Sequence, residues 1–521
     1  MSNNNVPAIL RSLIIYSIIV PLAIFVGYSL ANPLDLDTLG FYGVLGILLI
    51  SPIILRWHME ILVFSWSCSV AVFILPGRPG LWLVMVVMSL TISTLERIIN
   101  SKMHFIRVPE ITWPLLAFMA VVYATAELTG GIGLKAFGGS VYGGKKYIYL
   151  LISVLSYFAI TARPIPPQKA KLYVALFFLG QLTAFVGNTY IFAPSWMGLI
   201  YLMFPPSLDD SSTFEFGVTR LAGFSTAATG VYCYMLARYG LRGIFFEGKL
   251  WRPAILFLAL LVILLGGFRS TLMMVMATFI MMFLLEKLHR TPAIMVLILM
   301  GGLAVTAVIP LAHRLPFTFQ RALAFLPLDL DYDAVLSAQS STEWRLTMWT
   351  ALLPQIPPHL LLGKGLAFSS SDYDEMMTGN ELLQGAAEHF DASQGSLALA
   401  NDFHNGMLSL IIPFGIWGVL TVLWFLFAGL RIMWRNVKYC RPDLTLPCTF
   451  LFVMYFWEML NFVSCLGGLQ IATELANFCG FLGMSIALNN GVCRPAVEQV
   501  EERTAQVPFR AMPRPRPAFQ R

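Results

Sequence analysis

The chain reads as an all-α protein: a polytopic transmembrane bundle of about fourteen helices, both termini cytoplasmic, with one large, partly helical periplasmic loop. Three observations predict this. Hydrophobic types make up 57% of the 521 residues and charged types only 12%, where a soluble protein of this size is about a quarter charged. The mean hydropathy is +0.73. The apolar residues fall in long uninterrupted windows, not in the alternation of a membrane barrel. Composition thus excludes a cytosolic enzyme, a disordered chain and a disulfide scaffold.

A helix rises about 1.5 Å per residue, so roughly 17 to 25 apolar residues cross a hydrocarbon core of about 30 Å. Such windows lie near Ile9–Leu30, Leu39–Leu55, Ile61–Leu75, Leu81–Leu95, Ile111–Leu128, Tyr147–Thr161, Leu172–Phe192 and Gly217–Leu236. Six more follow near Pro253–Gly266, Ser270–Leu285, Ile294–Leu311, Asn405–Leu430, Leu446–Phe462 and Ile471–Leu488.

Short connections rich in Lys and Arg stay cytoplasmic because they resist translocation. The clusters are Arg97–Lys102–Arg107, Arg163–Lys169–Lys171, Arg238–Arg242–Lys249–Arg252, Lys287–Arg290 and Arg431–Arg435–Lys438–Arg441. Windows come in pairs between consecutive clusters, so every cluster can face one side. The acidic Asn32–Asp37 connection falls on the other.

This divides the chain into a membrane region over residues 1–311, a periplasmic loop over 312–403, C-terminal membrane helices over 404–490 and a disordered cytoplasmic tail over 491–521. The first apolar run has no small-residue cleavage site and reads as a signal anchor. The loop holds eleven acids against four bases, about −7, in a chain of net +6. Loops this long tend to be functional. Within it, Ser341-Thr342-Glu343 before an apolar-periodic stretch to Leu353 and Pro354 predicts a capped short helix. The seven cysteines avoid the loop and form neither a disulfide framework nor a CxxC metal site.

A charged residue at membrane depth is costly and marks a functional hypothesis. Four basic side chains converge on the outer side. Arg269 sits at the tip of the tight connection Gly266-Gly267-Phe268-Arg269; it either snorkels to headgroups or meets an anionic ligand that the glycines let approach the backbone. Arg220 follows the acidic stretch Asp209–Glu215, where it either pairs with Glu215 or Asp210 or binds the same anion. Arg345, one helical turn before Trp349, is either a local ion-pair partner or a guanidinium beside an aromatic platform. His404, in Asp402-Phe403-His404-Asn405-Gly406, stands where the loop re-enters the membrane as a helix. There the positive helix end disfavours imidazolium, and Asp402 either caps the helix or holds the ring tautomer. The bland reading of this run is a helix start in which His404 and Asn405 only satisfy backbone groups. Guanidinium binds phosphate oxygens bidentately and histidine accepts a proton from a hydroxyl, so the implied substrate is anionic, lipid-attached and hydroxyl-bearing. Gly138-Gly139 and Gly143-Gly144-Lys145-Lys146 read either as a phosphate cradle or as two snorkelling lysines on a turn.

Asp402-Phe403-His404-Asn405-Gly406-Met407-Leu408 with Pro413-Phe414-Gly415-Ile416-Trp417-Gly418-Val419-Leu420 resembles the His-Asn, Leu, Gly-x-x-Gly-Leu pattern of bacterial O-antigen ligases and polymerases. Arg345-Leu346-x-x-Trp349 and Pro358-His359-Leu360-Leu361-Leu362-Gly363-Lys364-Gly365 are similar to the family's Arg, Trp and Pro-Leu-x-Gly-x-Gly stretch, and Arg220-x-x-Gly223-Phe224 and Phe268-Arg269-Ser270 to its upstream arginine elements. The likeness covers roughly Arg220 to Leu420. It departs from the pattern at Ser225-Thr226-Ala227, where the family has Asn-Pro-Asn, and at Phe268 before Arg269.

The resemblance implies a metal- and cofactor-independent glycosyltransferase of the bacterial inner membrane, acting on the periplasmic side on glycans linked to undecaprenyl diphosphate. The acceptor would be a lipid-linked repeat or lipid A–core, with a lean toward a polymerase. It implies that Arg220, Arg269 and Arg345 bind the diphosphate and that His404 is the catalytic base. Asp402, Asn405, Trp349, Gly363 and Gly365 would support them. Expected partners are the lipid-linked glycan, its acceptor, membrane lipids and a polysaccharide export system, with no nucleic acid. A secondary transporter or flippase is the alternative from another class; it would carry its ionisable groups near the bilayer midplane. A membrane scaffold is a third reading, with no reason to gather these side chains.

Overall fold

The computed structural model describes part of 16–27 and residues 36–75, 77–131, 143–194, 197–198, 200–206, 220–368, 403–464 and 471–495. The described residues are helical and contain no strand, only an isolated bridge between Ala71 and Gly80. Two compact units are present: Met1–His58 with Ile74–Pro76, and Met59–Phe73 with Gly77–Arg521.

Helix α1 runs Leu36–Ser65 and loses helical geometry at Trp57 (φ −120°, ψ 22°). The windows Leu39–Leu55 and Ile61–Leu75 therefore become one broken helix that stops at Ser65. Its continuation to Leu75 is corrected: Trp66–Leu75 is not helical, and Leu81 donates back to the Val70 carbonyl at 2.8 Å. The rest of the second unit follows as α2 (Leu81–Ile99), α3 (Pro109–Leu128), α4 (Gly144–Ile160), the mixed α and 3-10 run α5 (Pro167–Ile191), α6 (Ala222–Phe245), α7 (Trp251–Leu264) and α8 (Arg269–Leu285). After these come α9 (Ala293–Leu311), α10 (Phe317–Leu323), α11 (Tyr332–Leu352), α12 (Leu408–Tyr439), α13 (Thr445–Ser464) and α14 (Ile471–Asn489).

Seven helices among the described residues are long and apolar enough to cross a membrane, and α7 and α8 are shorter apolar helices. The window Ile9–Leu30 and the tail lie largely outside the described residues, as do Asn32–Asp37 in part and 369–402 of the loop.

Interior packing uses small residues and interhelical hydrogen bonds, the devices that hold helices together in lipid. On α14, a Cβ at Gly480 would collide with the Trp66 ring and one at Gly483 with Ile160. Ser153 of α4 donates to the Ala472 carbonyl at 2.6 Å, and Asn436 of α12 donates to Ser485 Oγ at 3.1 Å. These contacts make α14 the most enclosed of the span-length helices.

The basic connections gather at one end of this bundle. Ile106 donates to Thr161 O at 3.2 Å, Ile165 to Ala487 O at 2.9 Å, and Cys493 to Asn436 Oδ1 at 2.9 Å. Gly240 breaks α6 with φ +61°, which frees the next two backbone N–H groups; the Glu286 carboxylate at the end of α8 accepts both, from Leu241 at 2.7 Å and Arg242 at 2.9 Å. Leu446, at the start of α13, packs on the same glycine. Each basic cluster named above lies in or beside one of these junctions. The segment 312–368 and the re-entry at Phe403 lie at the other end.

Candidate functional site

The predicted capped helix at Ser341 is longer than expected. It is α11, which starts at Tyr332 after Asp331, so Ser341-Thr342-Glu343 lies inside it. The start is fixed by Gln320 of α10, whose side chain accepts from Asp331 N at 2.6 Å and donates to its carboxylate at 2.8 Å. A local signal at Ser341 is overridden by this pairing of α10 with α11.

The turn between α7 and α8 is the first centre of the site. Gly266 has no room for a side chain, because a Cβ would lie 2.7 Å from Ser225 of α6. Its smallness thus brings α6 against the turn, and its carbonyl accepts from Arg220 Nε at 3.1 Å. Arg220 is only 8% exposed, and its guanidinium stacks 4.1 Å from the centre of the Phe268 ring. The start of α6 beside it is held by Asn188 of α5, whose Oδ1 accepts from the Gly223 and Phe224 N–H groups. The acidic residues Asp210 and Glu215 lie outside the described residues.

A further arginine enters here that the sequence reading did not single out. Arg321 of α10 donates to the Gly267 carbonyl at 2.7 Å and to Ser337 Oγ of α11 at 3.0 Å. Consecutive carbonyls of the Gly266-Gly267 turn thus each accept from a guanidinium, and Arg269 opens α8 immediately after. The signal for Arg321 was its sign: it is one of four bases in an acidic segment.

Helix α11 connects this turn to the histidine. Arg269 donates to Thr342 Oγ1 at 2.9 Å. Two residues on, the Trp344 ring meets the His404 imidazole edge-on, with centroids 5.0 Å apart and planes at 81°. Arg345 is next in the chain, half-buried on α11. The aromatic partner expected at Trp349 serves otherwise: its indole N–H donates to the Phe403 carbonyl at 2.7 Å, and with Met348, Leu352, Leu408 and Ile412 it packs around the buried Phe403. Trp349 fixes the backbone before the histidine, and Trp344 is the ring that touches it.

His404 has φ +47°, a left-handed conformation uncommon for a residue with a Cβ. Gly406 lets the chain pass directly over Phe462 of α13, where any Cβ would collide. The helix start is completed by Asn405, whose Oδ1 accepts from Leu408 N at 3.1 Å. Asp402 lies outside the described residues.

Gly363 and Gly365 support the site through α12. Pro413 and Gly415 (φ +64°) interrupt that helix, which leaves backbone groups without their usual partners. The Leu360–Gly365 strip supplies them. Lys364 N donates to Ile412 O at 2.8 Å, Gly365 N to Pro413 O at 2.9 Å, and Ile416 N donates to Leu360 O at 2.7 Å. A Cβ at Gly363 would run into the Pro413–Phe414 backbone, and Gly365 has φ +82° with Thr129 Oγ1 2.5 Å from the position of a Cβ. The strip continues to α4, where Leu366 N donates to Tyr147 OH at 2.7 Å and Gly143 (φ +97°) backs onto the Leu366 carbonyl. Lys146 lies over the Phe368 ring at 5.3 Å. Gly138 and Gly139 lie outside the described residues.

Among the described residues no group of three or more His, Cys, Asp or Glu is placed to hold a metal. The arrangement offers clustered guanidiniums at a tight turn, with an imidazole beside the same helix. Guanidiniums bind phosphate oxygens and an imidazole accepts a proton from a hydroxyl, so these groups have the chemistry to meet an anion and a hydroxyl.

Residues 254–423 match the family model described as O-Antigen ligase, a match that supports an O-antigen ligase/polymerase family protein. The matched stretch runs from α7 into α12 and contains Arg269, Arg321, Arg345, Gly363, Gly365 and His404; Arg220 lies before it. The match supports a membrane glycosyltransferase of ligase or polymerase type, with lipid-linked glycan and membrane lipids as its surroundings. No curated protein matches the chain.

Proposed function

We propose that this protein transfers a glycan from undecaprenyl diphosphate to a hydroxyl of an acceptor, a lipid-linked repeat unit or lipid A–core, at the periplasmic face of the bacterial inner membrane. The observation that carries the reading is that Arg269 and His404 both abut α11, within three residues of each other along it. They do so at the bundle end opposite the basic connections, which by the charge rule face the cytoplasm. The chain beyond α14, where Cys493 donates to Asn436 at the basic end, then lies on the cytoplasmic side.

In this reading Arg269, Arg220 and Arg345 hold the diphosphate. His404 takes the acceptor O–H proton as that oxygen attacks the anomeric carbon. The carbon–oxygen bond to the diphosphate breaks, its electron pair passes to the leaving phosphate, and the guanidiniums stabilise the charge that develops there. Arg321 and Arg220 hold the carbonyls of the turn that presents Arg269, so the guanidinium is positioned before substrate arrives. The acidic outer segment favours a polymerase, and its product a surface or exported polysaccharide handed to an export system.

The test is deletion of the gene followed by electrophoresis of surface glycans. Loss of chain length with single repeats retained marks a polymerase. Loss of attachment with intact lipid-linked polymer marks a ligase. Unchanged glycans contradict the proposal.

A further inference from the structure

A second cluster of charge and aromatic surface lies at the opposite end of the bundle, between α3 and α12. It is a groove of about 640 Å³ whose lining includes Glu110, Trp113, Trp424, Phe427, Arg431 and Arg435. Arg431 and Arg435 are four residues apart on α12 and so share a face near its end. Glu110 stands in the first turn of α3, after Pro109 at the helix start. The three rings are all more than half exposed: Trp113 63%, Trp424 52% and Phe427 60%. No ion pair joins Glu110 to Arg431 or Arg435 among the described residues. The groove therefore presents two cations and one anion, unmatched to each other, above an apolar wall.

We infer that this groove binds an aminophospholipid, a phosphatidylethanolamine-type lipid of the membrane leaflet at the basic end of the bundle. Charge complementarity selects the occupant. A phosphodiester fits between two arginines one helical turn apart. A primary ammonium on the same headgroup donates to the Glu110 carboxylate, and the acyl chains lie along Trp424 and Phe427. Indole and arginine both favour this depth, where an apolar body and a polar tip are needed at once. A headgroup that is anionic and carries no ammonium would satisfy the arginines and leave Glu110 without a countercharge. A quaternary ammonium has the right charge but no N–H to donate. The site is independent of the glycan-transfer reading, since it shares no residue with it.

The test uses the full-length protein in detergent with native mass spectrometry, titrated separately with phosphatidylethanolamine, phosphatidylcholine and phosphatidylglycerol of identical chains. The inference expects phosphatidylethanolamine to be retained about tenfold better than phosphatidylcholine, the worth of one hydrogen bond to a charged group. Glu110→Gln should erase that margin, and Arg431→Gln with Arg435→Gln should weaken binding of all three lipids. Glu110 is exposed, so its substitution leaves the fold intact and keeps the test sound even if the double variant expresses poorly. Equal retention of all three lipids, or a preference unchanged in Glu110→Gln, overturns the inference. So does phosphatidylglycerol binding as tightly as phosphatidylethanolamine, and so does a dimer that the groove variants abolish, which would assign the surface to a second copy.

Discussion

Trp344 lies edge-on against the His404 imidazole, at 5.0 Å between centroids, while Trp349, five residues later on the same helix, donates its N–H to the carbonyl of Phe403. One helix thus holds both the histidine ring and the backbone that precedes it. The first prediction follows from the conformation between these two contacts.

His404 occupies left-handed backbone space, which Asn tolerates better than Ala. His404→Asn should therefore preserve expression and folding while removing the proton acceptor. General-base catalysis contributes on the order of 10²- to 10⁴-fold, and transfer should fall by that amount in both His404→Asn and His404→Ala. Transfer rates of the purified variants, beside their melting curves, check this.

Removing the Trp344 ring should act on rate more than on binding, because the ring packs edge-on against the histidine. Trp344→Phe should keep much of the activity and Trp344→Ala should lose most of it, with the donor KM nearly unchanged. A split measurement of kcat and KM decides; a change confined to KM would place Trp344 in the donor pocket instead.

Arg269→Lys should rescue transfer only in part relative to Arg269→Gln, because the planar fork that grips two phosphate oxygens is lost. Equal activity of the Lys and Arg forms would reduce the role to a point charge. Phe268→Leu, which keeps an apolar side chain but removes the face beneath Arg220, should raise the donor KM by about tenfold, given roughly 1 to 2 kcal/mol for a desolvated cation–π contact.

Gly363→Ala tests the architecture. Its methyl group would meet the Pro413–Phe414 backbone, and overpacking of this kind costs about 1 to 3 kcal/mol. A lowered melting temperature is expected, with activity per folded molecule less affected than in the His404 variants.

Much of the helical content was legible because hydrophobic runs and basic connections report directly on where a chain crosses lipid. The windows near Ile111, Ile294 and Ile471 match α3, α9 and α14 within a few residues. The window Ile61–Leu75 did not, since an apolar run cannot distinguish a helix from the irregular, turn-rich chain that follows Ser65. The start of α11 was missed for a tertiary reason: Gln320, from another helix, holds Asp331. The site was partly legible. Arg269 and His404 stand out as charge or imidazole in apolar surroundings, but Trp344 and Arg321 acquire their places only from packing between distant segments. Gly266-Gly267 were open to the approach of an anionic ligand in one of two readings; packing makes Gly266 the seat of α6, and both carbonyls accept from arginines.

The central claim is that His404 removes the acceptor proton while the arginines hold the diphosphate. Its most direct test is a reconstituted reaction in which the purified protein is given an undecaprenyl-diphosphate-linked glycan and a hydroxyl acceptor, and released undecaprenyl diphosphate is measured over time. Steady release and a lengthened or transferred glycan from the wild-type protein, with release from His404→Asn slower by about 10²- to 10⁴-fold, is the predicted result. Equal release from both proteins would contradict it.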